Sequence, residues 1–452
     1  MKKLRSTLLV IIMATLCLVG YYAYTVISGK DVVSVNEAES ENNSENAGEN
    51  QPTTGSSENQ TVVENQTTGN EENTSGNDEN NQQPEDGKVT ISLVAVGDNF
   101  AHDSVIDSGK QSDGSYNYDF LFENIKSYVE SADIAAIFQT MIIAGNDKGV
   151  AGYPTFNTPE EMITAIDRAG FDVALMASNH TNDKGTAGIT KCISLWKEKS
   201  DVLAVGINAT KEEAAKIPII EVKGKKIAIL NYTTDMNNPI DDSDKQYMIN
   251  NLGVMNTETG FISSTNLSQS VISDIKLANE QADFVVVFPY WGEEYNHSAS
   301  STQKSWAKTM TEAGADLIIG ARSHYISGVE EITSDNGNKS LCYYSLGNFC
   351  SSFNYSDAMI GGMARVNIVF EGDNAYVDVD KSGMMPIITH YTHSGDADDE
   401  MAKIVGVYPI SQYTAEMASS HGIITRGKVT FSMDKINKVV NDNIKSQFLM
   451  KE

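Results

Sequence analysis

From Val89 onward the chain alternates short apolar runs with segments whose apolar positions recur at helical spacing. Val89 to Val96, Asp133 to Phe138, Asp172 to Ala177, Lys226 to Asn231 and Asp283 to Phe288 are too short and too continuously apolar for surface helices, and they read as buried strands. Between them, Thr158 is placed to cap a helix with Pro159 in its first position and Glu160 and Glu161 in its first turn. Met162, Ile163 and Ile166 would form its apolar face, and Gly170 would end it. A second helix is predicted from about Thr302 to Ala313, with Trp306, Met310 and Ala313 on one side and Gly314 closing it. Strand and helix in alternation predict an α/β fold with a largely parallel sheet. After Leu341 the runs Leu341 to Ser345, Ala364 to Phe370 and Ala375 to Val379 come without long helices between them, which predicts an antiparallel half.

The first 88 residues break this pattern. Lys2, Lys3 and Arg5 precede a largely uncharged stretch from Ser6 to Ser28, and roughly 20 apolar residues cross a bilayer as a helix. Tyr21, Tyr22 and Tyr24 suit an interfacial belt, and the basic start should stay cytoplasmic, which places the remainder outside the cell. A cleaved signal peptide is the alternative. Residues 31–88 are mostly Glu, Asn, Gly, Ser, Thr, Gln and Asp, a composition that cannot offset the entropy of ordering. The expectation is a disordered acidic linker with a reach on the order of 40 Å. The organisation read from sequence is therefore a membrane anchor at 1–30, a linker at 31–88, a folded domain at 89–372, and a C-terminal region at 373–452 packed on that domain or continuing it.

Formal net charge is −28, which excludes nucleic acid as a natural partner and means that a polyanion would need a local basic or metal site. Cys192, Cys342 and Cys350 have no metal-clip spacing and read as buried apolar thiols.

Polar residues gather where the predicted strands end, which is where open α/β sheets build their sites. Gly97-Asp98-Asn99-Phe100-Ala101-His102 offers a carboxylate and an imidazole to one cation, or forms an ordinary Asx-turn. Asn179-His180 within Ser178 to Gly185 is a candidate metal or phosphate pair, with Asp183 and Gly185 shaping the turn. The third loop holds Tyr290, Trp291, Glu293, Glu294 and Tyr295, whose aromatics are core residues or a ligand-binding wall. The fourth holds Arg322, Ser323 and His324.

In their order these loops resemble the CapA family of poly-γ-glutamate capsule synthesis, from about Ser92 to Ser351. The resemblance rests on Val96-Gly97-Asp98, Tyr153 to Pro159, Gly170 to Val173 with Asn179-His180-Thr181, Trp291-Gly292-Glu293-Glu294-Tyr295, Ala313 to Gly320, and Tyr344-Ser345-Leu346-Gly347-Asn348-Phe349. It implies a four-layer αββα sandwich of the metallophosphoesterase type. It also implies a role in making, exporting or retaining an anionic polymer at the cell membrane, with polymer or synthase subunits as partners.

Departures from the family pattern change the expected chemistry. Gln139-Thr140 stand where the family carries a carboxylate, Tyr290 where it carries a histidine, and Arg322 where it carries the first histidine of a pair. Thr140 supplies no carboxylate and Arg322 has donors only, whereas a two-metal centre needs bridging ligands. The expectation is therefore binding rather than catalysis, through Asn179, His180, Tyr290, Trp291, Glu293, Arg322, His324 and Asn348. Arg322 is expected to pair with Asp98 in place of a metal charge. At most one divalent ion, manganese or zinc, is expected on Asp98, His102, Asn179, His180 and His324. The rival is a metal-dependent hydrolase of phosphoester or polymer linkages, with Asp98, His180 and His324 as its catalytic candidates.

Overall fold

The computed structural model describes residues 87–256, 258–260, 262–396 and 401–450. The predicted anchor and nearly all of the predicted linker lie outside the described residues. Among the described residues no helix is long and apolar enough to cross a membrane.

Two sheets carry the fold. The first runs in the order β17 (Lys403–Pro409), β16 (Gly383–Thr392), β14 (Ile360–Glu371), β1 (Lys88–Asn99), β2 (Ile134–Phe138), β3 (Val173–Leu175) and β4 (Leu203–Val205). Strands β1 to β4 pair in parallel, while β14, β16 and β17 are antiparallel to their neighbours. β13 (Asn348–Cys350) adds a short parallel pairing at the tip of β1, and β15 (Asn374–Val377) pairs with β14. The second sheet runs β11 (Val329–Thr333), β12 (Lys339–Tyr343), β10 (Leu317–Ile319), β9 (Phe284–Tyr290), β6 (Lys225–Thr233) and β5 (Ile219–Val222), with its inner strands parallel. A separate hairpin joins β7 (Gly253–Met255) to β8 (Ile262–Leu267).

The two sheets share one core. Alternate side chains of the second sheet, such as Ile227, Ile229, Phe284, Val286 and Phe288, cluster with the first. Rings meet across the layers at Phe138–Phe288, 6.0 Å, and Phe284–Phe370, 6.3 Å. The other alternate set, Ala228, Leu230, Val285 and Val287, packs with Val271 and Ile275 of α3 (Gln269–Gln281) and with Trp306 and Met310 of α4 (Ser301–Ala313). Period-two alternation with both faces apolar is what a strand covered on both sides requires. β2 is likewise buried along its whole length, and α1 (Glu161–Arg168) and α2 (Gly185–Lys199) contribute Met162, Ile163, Ile189 and Trp196 to the same core.

A recurring device sets the parallel register. Asp133, Asp172, Asp283 and Asp316 each stand just before a strand. The backbone N–H of each donates to the preceding parallel strand (carbonyls of Ser92, Ala135, Lys226 and Val285), and its carboxylate accepts the N–H of that same residue at 2.7–2.8 Å. Burial pushes the Asp316 carboxyl up to about 7, against the lowering effect of that backbone bond.

Three predicted elements shift. The helix expected to be capped by Thr158 begins at Glu161, because the Thr158 N–H is taken by Ile142 and its hydroxyl bonds nothing. The strand expected over 172–177 is only Val173–Leu175, the rest turning into the site loop. The helix expected from Thr302 starts at Ser301 behind a Ser300–Gln303 capping box, and Gly314 ends it with φ +111°.

Candidate functional site

The C-terminal tips of β1, β2, β3, β6, β9 and β10 converge on one polar cluster. Asp98 is pinned there by backbone pairing: its N–H donates to the Gly347 carbonyl at 3.0 Å, and it lies in register with Asn348. Gly97 makes this possible, since a Cβ at that position would sit 1.9 Å from the Gly347 oxygen. The Asp98 carboxylate is fully buried, and burial raises its pKa against the opposing pull of His324 and Arg322. His324 Nδ1 lies 3.4 Å from its Oδ2.

The structure brings the three candidate histidines together, but around a phenyl ring. Phe100 lies with its ring centroid 4.4 Å from His102, 5.8 Å from His180 and 5.2 Å from His324. His102 Nδ1 accepts the Ser352 N–H at 3.3 Å, and burial with the neighbouring His324 holds its pKa down at about 3. His180 has both nitrogens engaged: Nδ1–H donates to Asp183 at 2.8 Å, and Nε2 accepts from the Asn237 amide at 3.2 Å. Asp183 is held in turn by the Phe156 N–H and by Asn238, both at 2.8 Å. His324 donates through Nδ1 to Asn348 at 3.0 Å. Among the described residues, no three His, Cys, Asp or Glu side chains are arranged to hold a metal. Of the expected metal set, His180 has both ring nitrogens on protein partners, His102 and His324 each engage Nδ1, and the Asp98 carboxylate oxygens and Asn179 Oδ1 lack a hydrogen-bond partner.

Arg322 corrects one expectation. Its guanidinium pairs with Asp235, not Asp98: Nε–H donates to Oδ1 at 2.9 Å and Nη2–H to Oδ2 at 2.6 Å. Nη1 donates to the Gly292 carbonyl, and Glu294 stands 3.9 Å away. Bidentate geometry of this kind fills the fork that a ligand carboxylate would otherwise take. Arg322 has φ +109°, with Tyr295 at +60° and His324 at +61° in the same two loops. Strained non-glycine backbone of this sort concentrates where function holds it.

The remaining predicted residues divide. Trp291 is buried, with Nε1–H donating to the Tyr344 carbonyl at 2.9 Å, so it is a core residue and not a ligand wall. Asn348 spends its amide on Ser351 and the Ala358 carbonyl. Glu293 is exposed. Tyr290 is buried with its hydroxyl unbonded and its pKa raised by burial and then by Asp98. Gln139 and Thr140, standing where a carboxylate was looked for, bond Asn99 through its amide and carbonyl.

Sequence reasoning missed Asp235, Asn237 and Asn238. Their signal was present, since Thr233 to Asn238 is a polar run directly following an apolar strand. It also missed that Phe100 would occupy the centre. Among the described residues nine buried side-chain polar atoms lack a hydrogen-bond partner, and six belong to this cluster: both oxygens of Asp98, Oδ1 of Asn99, Asn179 and Asn182, and the Tyr290 hydroxyl. Such a concentration marks a place built to meet something other than itself.

An α/β scaffold of two facing sheets, with a polar cluster at its strand tips, is the class of protein that fold and site define. Residues 92–352 match the profile of the bacterial capsule synthesis protein family PGA_cap, and the chain belongs to that family. It is 27% identical over 239 residues to the capsule biosynthesis protein CapA of Bacillus anthracis, covering 52% of this chain and 54% of that protein. It is also 27% identical over 236 residues to the PGA biosynthesis protein CapA of Bacillus subtilis strain 168, covering 51% and 56%. The chain thus spans about half the length of the curated relatives it matches. Among solved structures, a hypothetical protein from Thermus thermophilus is similar at a TM-score of 0.38 and 11% identity, over 66% of this chain and 98% of that one.

Proposed function

We propose that this chain is an envelope protein that assists the synthesis, export or retention of an anionic capsule polymer, poly-γ-glutamate being the polymer its relatives' names point to. The family match over residues 92–352 carries this reading. The basic start and apolar stretch of residues 1–30 support tethering in the cell membrane with the folded part outside, and the order of the strand-tip motifs supports a sandwich of the metallophosphoesterase type.

Binding is the mode favoured over catalysis. Thr140 supplies no carboxylate, Arg322 has no acceptor for a metal, and His180 is committed to Asp183 and Asn237. With Arg322 neutralised by Asp235 and a formal charge of −28, the bare polyanion is a poor direct ligand, and synthase subunits are the better one.

The test is complementation. In a poly-γ-glutamate producer lacking its own CapA, the full chain should restore cell-associated polymer, and His180→Ala should restore it equally. A second reading, hydrolysis of a phosphoester or polymer linkage, is favoured by the Asp183–His180 pair, which resembles an oriented acid–base group. Hydrolysis of a generic phosphodiester by the native chain with added manganese or zinc, lost in folded His180→Ala protein that also fails to complement, would select it.

A further inference from the structure

The unbonded oxygens of Asp98, Asn99 and Asn179 and the Tyr290 hydroxyl are all buried, so a ligand reaches them only when part of their surroundings moves. Two of the bordering loops are tied to the scaffold through their backbone. The loop carrying Phe156 is fixed by paired N–H···O bonds between Ala151 and Asn157, and the Asn157 side chain bonds Ala144, Gly145 and Gly149. In the loop carrying Asn237, that residue's N–H donates to the Asn179 carbonyl, and the Asn182 amide donates to the carbonyls of Asn238 and Pro239.

Residues 351–357 are held differently. Among the described residues, this loop makes no backbone–backbone hydrogen bond to another segment. Its Phe353 ring nevertheless lies 4.5 Å from His102, 4.7 Å from His324 and 5.4 Å from Phe100, and His324 is the residue beside Asp98. Three of the side chains that hold the loop lie beyond residue 352, where the family match ends. Arg426 donates to the Ser352 carbonyl, and the Tyr391 hydroxyl donates to the Phe353 carbonyl at 3.3 Å. At the other end, Lys435 of α5 (Met433–Asn443) meets Asp357 Oδ1 at 2.8 Å, and His297 Nε2 stands 3.2 Å from Oδ2. These partners keep the Asp357 carboxyl well below the usual carboxylate range, the His297 hydrogen bond contributing most. The Lys435 side chain is 34% exposed and that of Asp357 20%, so salt reaches and screens the pair.

We infer that residues 351–357 form a lid over the strand-tip cluster, hinged at Ser352 and latched at Asp357 by Lys435 of the C-terminal helix. Released at Asp357, Phe353 swings away from His102 and His324 and opens the way to the acceptors beneath. The C-terminal region thereby governs entry to the site. This rests on the reading of that cluster as the place where the protein binds its partner.

The test is diethyl pyrocarbonate labelling of the purified full chain, with His102 and His324 read by mass spectrometry and backbone hydrogen exchange followed in parallel. Lys435→Gln should speed labelling of His324 about fivefold and quicken exchange within 351–357. Exchange in β1 should stay as it is, and the melting temperature should move by less than about 2 °C, as for loss of a part-exposed pair. Salt at 1 M, where the Debye length is about 3 Å, should speed labelling of the native chain and add little in the variant. Lys438→Gln, which removes a pair with Asp442 on the same helix, is the control and should change nothing. His324 labelling as slow in Lys435→Gln as in the native chain overturns the inference. So does the same acceleration in Lys438→Gln, or labelling that quickens only in step with exchange in β1, the sign of a helix that merely stabilises the fold. Complementation of cell-associated polymer does not measure lid opening, so a failed latch leaves the capsule reading standing, and a chain that fails to complement can still show the latch.

Discussion

Breaking the Arg322–Asp235 pair should show whether the strand-tip cluster is held by a buried charge pair. Removing one member of a fully buried pair costs about 3–5 kcal/mol, whereas an exposed pair is worth about 0–1 kcal/mol. Here the arginine side chain is 15% exposed and the aspartate 35%, with two charge-assisted hydrogen bonds, so the expected coupling lies between those limits at about 2 kcal/mol. For a folded part of roughly 360 residues that is a melting shift of about 3 °C. The assay is a double-mutant cycle of Arg322→Ala and Asp235→Ala, followed by urea unfolding. Glu294, 3.9 Å from the guanidinium, can swing in when Asp235 is lost, so the cycle is best repeated in Glu294→Gln, where the coupling should grow. A coupling below about 0.5 kcal/mol in both backgrounds would refute the reasoning and leave Arg322 as an ordinary surface cation.

Further outcomes follow from the same geometry. Gly97→Ala should prevent folding or cost more than about 3 kcal/mol, because its Cβ meets the Gly347 carbonyl at 1.9 Å; soluble protein with an unchanged melting temperature would contradict the strand-tip geometry. Burial holds His421 at about 3 against an unfolded value near 6.5, so stability present above pH 6.5 is lost as pH falls through that range, by about 2 kcal/mol at pH 5. Asp316, raised to about 7, acts oppositely and gains stability as pH falls from 7 towards 4, so Asp316→Asn should steepen the loss between pH 7 and 5 in urea midpoints. A shallower profile in that variant would falsify the assignment. Added manganese or zinc should move the melting temperature by less than about 1 °C, since a cation at a hundred times its dissociation constant would add about 2.7 kcal/mol and a shift several times larger. A shift of that larger size, lost in Asp98→Asn, would restore the metal reading.

Much of the scaffold is legible in the sequence because it depends on neighbours in the chain. Four apolar runs, each introduced by an aspartate, mark parallel strands whose first residue clips to the strand beside it, and the Ser300–Gln303 box and Gly314 bracket α4. Period and capping are local properties, and so is the placement of polar residues directly after strands, which located the loops of Asp98, His180 and His324. Even the overlooked Asp235 carried that mark.

Which side chains meet within the cluster is another matter. Arg322 reaches Asp235 across 87 positions, the tip of β1 is fixed by a chain segment some 250 residues later, and the Phe100 ring packs against His102, His180 and His324. These outcomes follow from strand order and the facing of two sheets, and no local pattern encodes them. The amino-acid sequence alone determined the elements and the end of the sheets at which polar groups collect. Tertiary structure alone decided that the arginine is neutralised by its own chain and that the histidines surround a ring, because both depend on side chains brought together only by long-range packing.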